Sequence, residues 1–291
     1  MEIEVVHNHQ CELGEGPVWD ADEEIIYWLD ILKGEIHQYS FKKGEYNLYS
    51  VDTMVGCISL CNDNSLILAS KTGIGFFNKA TSEIEYVCNP ESHLLKNRFN
   101  DGKCDPAGRF WVGSMSLAEE PNAGSVYAFE NNLCTLKIED TTISNGMAWS
   151  TDYQTYYFID TPTSTVVSYD FDKNSGSISN KRVVVTIDKK EGSPDGMTID
   201  AEGMLWIAHW GGWQVTRWNP LTGELLHRIK FPAAKITSCT FGGKDLNDLF
   251  ITSAKVGLTD EELKNQPLAG SLFVIRNCGY KGVAPFKFKH R

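Results

Sequence analysis

Three oxygen-bearing side chains occupy the same position in different copies of a repeated phrase. Glu15 precedes Gly-Pro, whereas Asn145 and Asp195 each precede Gly-Met. If the repeats are arranged around one axis, equivalent positions lie at equivalent depths and these side chains face one another. Facing carboxylates repel, and polar groups in a core are costly without partners. A divalent cation would relieve both problems, and an all-oxygen donor set favours Ca²⁺, Mg²⁺ or Mn²⁺ over Zn²⁺ with waters.

The same dipeptides have a simpler interpretation. Asn-Gly and Asp-Gly are common turn dipeptides, so Asn145 and Asp195 could begin ordinary turns. Glu15 is a poor turn former, which favours the metal interpretation. Alignment of another copy places Asn100 in the same position.

The elements that would position these residues follow from the repeat. Six copies begin near residues 15, 56, 100, 145, 195 and 237, at a mean spacing of about 44 residues, which suits four short strands per unit. The sequence therefore predicts an all-β, six-bladed β-propeller with four-stranded antiparallel blades around a central channel, as one domain over residues 1–291. Strand-like ends at 3–6 and 271–275 are expected to share a blade and close the ring. Thr259 is expected to cap a short helix.

Composition restricts the partners. The chain of 291 residues has 27 basic and 38 acidic side chains, a formal charge of −11, which argues against nucleic acid and anionic membranes. No apolar run approaches the roughly 18 residues of a membrane span. The first residues lack the features of a signal peptide, and we expect a cytoplasmic protein. Eight cysteines without CxxC spacing predict free, buried thiols, with one structural disulfide as the alternative.

Other residues give weaker signals. His209 follows the fifth inner strand and is a candidate neighbour of the site, while the other six histidines are expected at the surface. Trp210 and Trp213 lie outside the repeat and are candidates to line a pocket. The repeat places five tryptophans in the core: Trp19, Trp28, Trp111, Trp149 and Trp206. Nucleophile-elbow, zincin and P-loop motifs are absent from the sequence.

Charged residues near Asn100 are candidates for substrate contact. Arg98 could offset the acids of the channel or hold a substrate oxygen bidentately, and the alternative is a surface arginine. Glu119 and Glu120 lie in a polar insertion at 116–124, where a loop could cover the channel, although acidic pairs are commonly just solvated.

The ordered motifs resemble the regucalcin (senescence marker protein)/gluconolactonase family along the whole chain. They are Gly14–Trp19, Asn97–Lys103, Asp105–Phe110, Ile143–Gly146, Pro194–Met197, Asp200–Gly203, Cys239–Gly243 and Gly282–Pro285. The resemblance implies a six-bladed propeller with a divalent metal in its channel. The implied ligands are Glu15, Asn145 and Asp195.

The same resemblance implies substrate contacts. Arg98 and Asn100 match the Arg and second Asn of the family's N-R-F-N-D motif. The family also uses a glutamate just after G-[TS]-M, but here the register is shifted and either Glu119 or Glu120 could serve. This departure leaves the preferred sugar open, and His209 with Trp210 points to a microbial-type sugar lactonase.

The resemblance leads to a specific expectation: a metal-dependent lactonase that opens sugar aldonolactones such as glucono-δ-lactone. Ca²⁺ is the expected ion, with Mn²⁺, Mg²⁺ or Zn²⁺ as alternatives, and Asp195 is the expected general base. Two rivals remain. One is a hydrolase of non-sugar lactones or esters on the same scaffold, and the other is a calcium-binding regulatory protein without turnover.

Overall fold

The repeat folds as six blades. In a computed structural model that describes residues 2–290, the strands form six four-stranded antiparallel sheets around a central channel, so the predicted β-propeller is confirmed. In blades one to five the strands pair in chain order, and the first strand of each blade contacts the first strands of its neighbours. These inner strands therefore line the channel.

The strand bounds follow the predicted repeat closely. The first half contains β1 (Glu4–Val5), β2 (Gly14–Asp20), β3 (Ile25–Asp30), β4 (Glu35–Ser40), β5 (Glu45–Ser50), β6 (Val55–Leu60), β7 (Leu66–Ser70), β8 (Gly73–Asn78), β9 (Glu83–Cys88), β10 (Asn97–Cys104), β11 (Phe110–Ser116) and β12 (Gly124–Glu130). The second half contains β13 (Leu133–Thr141), β14 (Ser144–Trp149), β15 (Thr155–Asp160), β16 (Thr165–Asp172), β17 (Ser177–Thr186), β18 (Ser193–Ile199), β19 (Leu205–Trp210), β20 (Gln214–Asn219), β21 (Glu224–Lys230), β22 (Lys235–Gly242), β23 (Asp248–Ala254) and β24 (Phe273–Ile275).

The two ends of the chain complete one blade. β1 is the outermost strand of the sheet β22–β23–β24, where Glu4 pairs with Val274 and Val5 with Phe273. The predicted closure is therefore confirmed. Closure leaves only the short outer edge of each blade unpaired.

The recurring Asp-x-x-Gly turn is explained by side-chain bonding. Asp105 accepts hydrogen bonds from backbone amides of its own turn and from the Trp111 indole at 3.0 Å. Asp200 does the same for its turn and for Trp206, at 2.9 Å. Each aspartate thus holds the turn between the first two strands and satisfies a buried indole N–H.

The core lies between neighbouring blades. The five tryptophans predicted to be internal are buried, in apolar clusters that join adjacent sheets. Burying a large apolar side chain stabilises a fold by about 1.5–3 kcal/mol. These clusters fix the spacing of the inner strands.

Helical structure is minor. A short α-helix, α1 (Asp260–Asn265), begins after Thr259, and the Thr259 and Glu262 side chains bond each other's backbone N–H as predicted. Two 3₁₀ turns cover Thr161–Thr163 and Lys189–Glu191. Within residues 2–290, the helices are all too short to cross a bilayer.

The cysteine prediction is partly wrong. Within the described residues, six cysteines are free and buried, as expected, but Cys88 and Cys134 form a disulfide with their Cα atoms 6.8 Å apart. They lie on β9 and β13, the outer strands of adjacent blades.

Candidate active site

A bulge in each inner strand turns the candidate side chains toward the channel. In residues 2–290 the pairing of every inner strand with its neighbour shifts register once, and the shifts lie between Glu15 and Val18, Val55 and Cys57, Phe99 and Gly102, Ser144 and Met147, Pro194 and Met197, and Ile236 and Ser238. Bulges beside functional sites commonly re-aim a side chain. The position singled out by the repeat is therefore a structural irregularity of every blade.

The Asn-Gly and Asp-Gly dipeptides do not form turns here. Gly146 and Gly196 lie inside β14 and β18. A Cβ on Gly146 would be 2.5 Å from the Cβ of Met197, and one on Gly196 would fall against the Ser238 side chain. Glycine follows the candidate ligands because adjacent inner strands approach too closely for any side chain.

Glu15, Asn145 and Asp195 come together on one cavity of about 630 Å³ at one end of the channel. They are 8%, 4% and 6% exposed, although each comes from a different blade. The convergence expected from the repeat is therefore present in the fold.

Asn145 has an orphaned acceptor. The Thr161 hydroxyl donates its only proton to the carbonyl oxygen of Pro194 at 2.8 Å, so it must accept from Asn145 Nδ2 at 2.9 Å. This fixes the amide orientation. Asn145 Oδ1 is buried and has no hydrogen-bond partner among residues 2–290. An unpaired buried carbonyl is costly, and a cation would satisfy it.

The two carboxylates are electrostatically strained without a cation. Burial, with Asp101 nearby, raises the pKa of Glu15 to about 8. Burial and the Glu15 charge raise the pKa of Asp195 well above its usual range. Two buried carboxylates and one buried, unpaired amide oxygen fit a hard divalent ion such as Ca²⁺.

Second-strand aspartates position two of the candidate ligands. Asp30, at the end of β3, accepts from the Glu12 and Leu13 amides that precede β2. Asp160, at the end of β15, accepts from the Thr142 and Ile143 amides that precede β14. Each carboxylate fixes the path of the chain just before Glu15 or Asn145.

Arg98 and Asn100 form a fixed pair on the same cavity. Arg98 Nη1 donates to Asn100 Oδ1 at 2.8 Å, and Asn100 Nδ2 donates to the carbonyl of Ser144 at 2.9 Å. Burial lowers the pKa of Arg98 to about 10, with Glu15 and Asp195 opposing the shift, so the side chain remains a cation at neutral pH. A buried, oriented guanidinium can hold an anionic or hydroxyl oxygen.

The insertion separates its two glutamates. Glu119 lines the cavity, with a left-handed backbone at φ 53°, whereas Glu120 does not line it and lies 3.8 Å from Lys96 on the exposed surface. Leu117 from the same loop also lines the cavity. Of the two alternatives, only Glu119 is placed to touch a ligand.

Of the aromatic and histidine candidates, only Trp210 lines the cavity. Trp210 lines the cavity beneath the Lys235 ammonium, which is 4.7 Å from its ring, whereas Trp213 does not. His209 is fully buried and its Nε2 bonds Thr216 Oγ1 at 2.6 Å, so it is not a cavity residue. The expectation of a surface position is wrong for His37, which is also fully buried.

Asp101 and Lys103 had no assigned role in the sequence. Both line a small cavity of about 30 Å³ farther along the channel, and Lys103 Nζ donates to the Met197 carbonyl at 2.8 Å. Burial raises the pKa of Asp101 and lowers that of Lys103. The sequence could have indicated Asp101 as a channel residue, because it directly follows Asn100 in the bulged segment of β10.

Comparison with known proteins agrees with this architecture. Residues 13–255 match the family model described as the SMP-30/gluconolactonase/LRE-like region. The chain belongs to this family. It is 36% identical to regucalcin of Danio rerio, over 99% of the chain and 98% of the relative. It is 37% identical over 94% of both chains to a Bacillus subtilis protein with the name “Putative sugar lactone lactonase YvrE”.

A solved structure of the family superimposes closely. The structure, from Agrobacterium tumefaciens, is described as a calcium-binding protein, regucalcin, and it matches with a TM-score of 0.93 and 29% identity over 98% of this chain and 97% of that one. The family resemblance expected from the motifs is therefore confirmed, and the likeness extends over nearly the whole chain.

Proposed function

We propose that this protein is a divalent-metal-dependent lactonase that hydrolyses sugar aldonolactones to aldonic acids. The observation that carries the proposal is the group of Glu15, Asn145 and Asp195, whose buried oxygens line one cavity with Asn145 Oδ1 unpaired. Family membership and the lactonase name of one relative support the same reaction. The names of other relatives support Ca²⁺ as the ion.

Each side chain has a distinct task in this proposal. A divalent ion held by the three oxygens would polarise the lactone carbonyl as a Lewis acid. Asp195, the candidate general base, takes a proton from water as its oxygen attacks the carbonyl carbon. The acyl carbon–ring oxygen bond then breaks, and Asp195 returns the proton to the leaving ring oxygen. The product is the open-chain hydroxy acid.

Arg98 and Asn100 bind the substrate. Both side chains are held by the hydrogen bonds described above, so little ordering is needed when a lactone enters. Glu119 lines the same cavity and would accept a hydrogen bond from a sugar hydroxyl. No covalent nucleophile is required, in agreement with the absence of a nucleophile-elbow motif.

A second candidate function rests on the apolar part of the cavity lining. Leu32, Met115, Leu117, Trp210 and Val256 add apolar side chains to the polar lining of the cavity. These side chains favour a lactone or ester with an apolar substituent. The third alternative, a calcium-binding regulatory protein, would bind Ca²⁺ tightly without opening any lactone.

A pH-indicator assay separates the three. Chelator-treated protein is tested with glucono-δ-lactone, an alkyl-substituted lactone and an aryl ester, each with Ca²⁺, Mn²⁺, Mg²⁺ or Zn²⁺. Metal-stimulated opening of the sugar lactone supports the proposal, preference for the alkyl lactone or ester supports the second candidate, and Ca²⁺ binding without turnover supports the third. The cytoplasmic location and the domain extent 1–291 remain predictions.

A further inference from the structure

A second cluster of metal-binding side chains lies away from the cavity. His9 and Cys11 precede β2, and Glu35 and His37 lie on one face of β4 because they are two residues apart along a strand. The nitrogen and sulfur donors of His9, Cys11 and His37 are all within 4.8 Å of one another. None of the four residues lines the cavity that holds Glu15.

Three of the distances between donor atoms are those expected between ligands of one zinc ion. Cys11 Sγ is 3.6 Å from His37 Nε2, and Glu35 Oε2 is 3.4 Å from His9 Nε2 and 3.6 Å from His37 Nε2. Zinc bonded to nitrogen or oxygen near 2.0–2.2 Å and to sulfur near 2.3 Å separates its ligands by about 3.3–3.7 Å. The donor atoms are therefore close enough together to share one zinc ion.

The donors lack other partners. His9 Nε2 and Glu35 Oε2 are buried and have no hydrogen-bond partner within residues 2–290. A hydrogen-bonded His–Glu pair would place a proton between these two atoms, whereas here they form no hydrogen bond with each other. The opposite ring nitrogen of His37 lies 2.9 Å from the Tyr46 hydroxyl, the kind of outer hydrogen bond that orients a metal-bound imidazole.

We propose that His9, Cys11, Glu35 and His37 form a structural zinc site. A thiolate and a carboxylate balance the two positive charges, and two imidazoles complete a closed four-coordinate shell. The softer sulfur and nitrogen donors separate this site from the all-oxygen set of the channel, which suits Ca²⁺ or Mg²⁺.

The site would tie the segment that leads to Glu15 onto blade one. Cys11 packs against Trp28 and Leu272, and its amide donates to the Gly270 carbonyl at 2.8 Å. Four residues later the chain reaches Glu15. Zinc stimulation of this protein would then act on stability, separately from the ion in the channel.

Cobalt spectroscopy provides the test. The full-length protein is stripped with a chelator, saturated with Ca²⁺ to fill the oxygen site, and titrated with Co²⁺. We expect a near-ultraviolet thiolate-to-cobalt charge-transfer band and intense visible bands of four-coordinate cobalt, both displaced by one equivalent of Zn²⁺. Cys11→Ser should abolish the charge-transfer band, and Cys104→Ser, which alters another buried free thiol, should keep it.

Two further measurements do not depend on the folding of Cys11→Ser. X-ray absorption of the zinc-loaded wild type should find one sulfur and three nitrogen or oxygen neighbours. His9→Gln, at a partly exposed ring, should weaken Zn²⁺ binding by about tenfold or more. A wild type without the charge-transfer band, a band that survives Cys11→Ser, or zinc with only light-atom neighbours would overturn the proposal.

Discussion

The amide of Asn145 donates to the Thr161 hydroxyl at 2.9 Å, and this single bond determines what Asn145 presents to the channel. Because the hydroxyl proton is committed to the Pro194 carbonyl, Asn145 Oδ1 must point away from Thr161. Thr161 therefore links two candidate ligands, since Pro194 adjoins Asp195. A residue of a 3₁₀ turn thus orients the candidate metal ligand Asn145.

Removal of this hydroxyl should weaken metal binding. Thr161→Val keeps the side-chain shape but frees the Asn145 amide to rotate. A hydrogen bond contributes about 0.5–1.5 kcal/mol, so Ca²⁺ affinity measured by titration calorimetry should fall about two- to tenfold. Thr161→Ser retains the hydroxyl and should bind as the wild type does. Equal affinities for the valine and serine variants would contradict the positioning role.

Asp195 and Glu15 should be separable as base and ligand. Asp195→Asn keeps an oxygen donor but cannot accept a proton, so kcat should fall about 10²- to 10⁴-fold at every Ca²⁺ concentration. Glu15→Gln replaces a charged metal ligand by a neutral one, so a higher Ca²⁺ concentration should restore much of its turnover. Recovery of Asp195→Asn at high Ca²⁺ would instead assign Asp195 as a ligand alone.

The two glutamates of the insertion form a matched pair. Glu119 lines the cavity and Glu120 faces Lys96 outside it. Glu119→Gln should lower kcat/KM about tenfold or more, mainly through KM, because hydrogen bonds to charged groups contribute about 1.5–3 kcal/mol. Glu120→Gln should leave both constants unchanged. The opposite pattern would place the substrate on the outer face of the loop.

The metal-free protein should lose stability as pH rises. The pKa of Glu15 is about 8 in the fold and 4.5 in a free side chain, so the folded state binds the proton more tightly. Its contribution is complete below about pH 4.5 and is lost as pH approaches 8, and Asp195 shifts in the same direction.

Calorimetry checks this sign. Between pH 5 and 8 the melting temperature of the metal-free wild type should fall more steeply than that of Glu15→Gln. Saturating Ca²⁺ should remove the difference in slope, because the bound ion replaces the protons. A metal-free wild type whose profile parallels that of Glu15→Gln would contradict the raised pKa that burial gives Glu15.

The sequence predicts the fold well because the repeat is visible in it. The predicted starts at residues 15, 56, 100, 145, 195 and 237 all fall within inner strands. The Asp105 and Asp200 turns carry enough local information to mark each blade. Ring closure follows from the strand-like ends.

Details of the site depend on long-range geometry. The bulges that turn Asn145 and Asp195 inward have no local sequence signal beyond a glycine, which also suits a turn. Thr161 acts across a blade boundary, and Glu119 differs from Glu120 only through the path of the loop. His9 and His37 were expected at the surface, because the sequence does not show that the fold brings both side chains close to Cys11.

The most direct measurement is the anomalous diffraction of crystals grown with Mn²⁺, which substitutes for Ca²⁺ at oxygen sites. We expect one strong peak in the channel within about 2.0–2.6 Å of Glu15, Asn145 Oδ1 and Asp195. The Asn145 amide should keep its bond to Thr161. A channel without a peak in fully Mn²⁺-loaded crystals, or a peak that none of the three side chains reaches, would contradict the account.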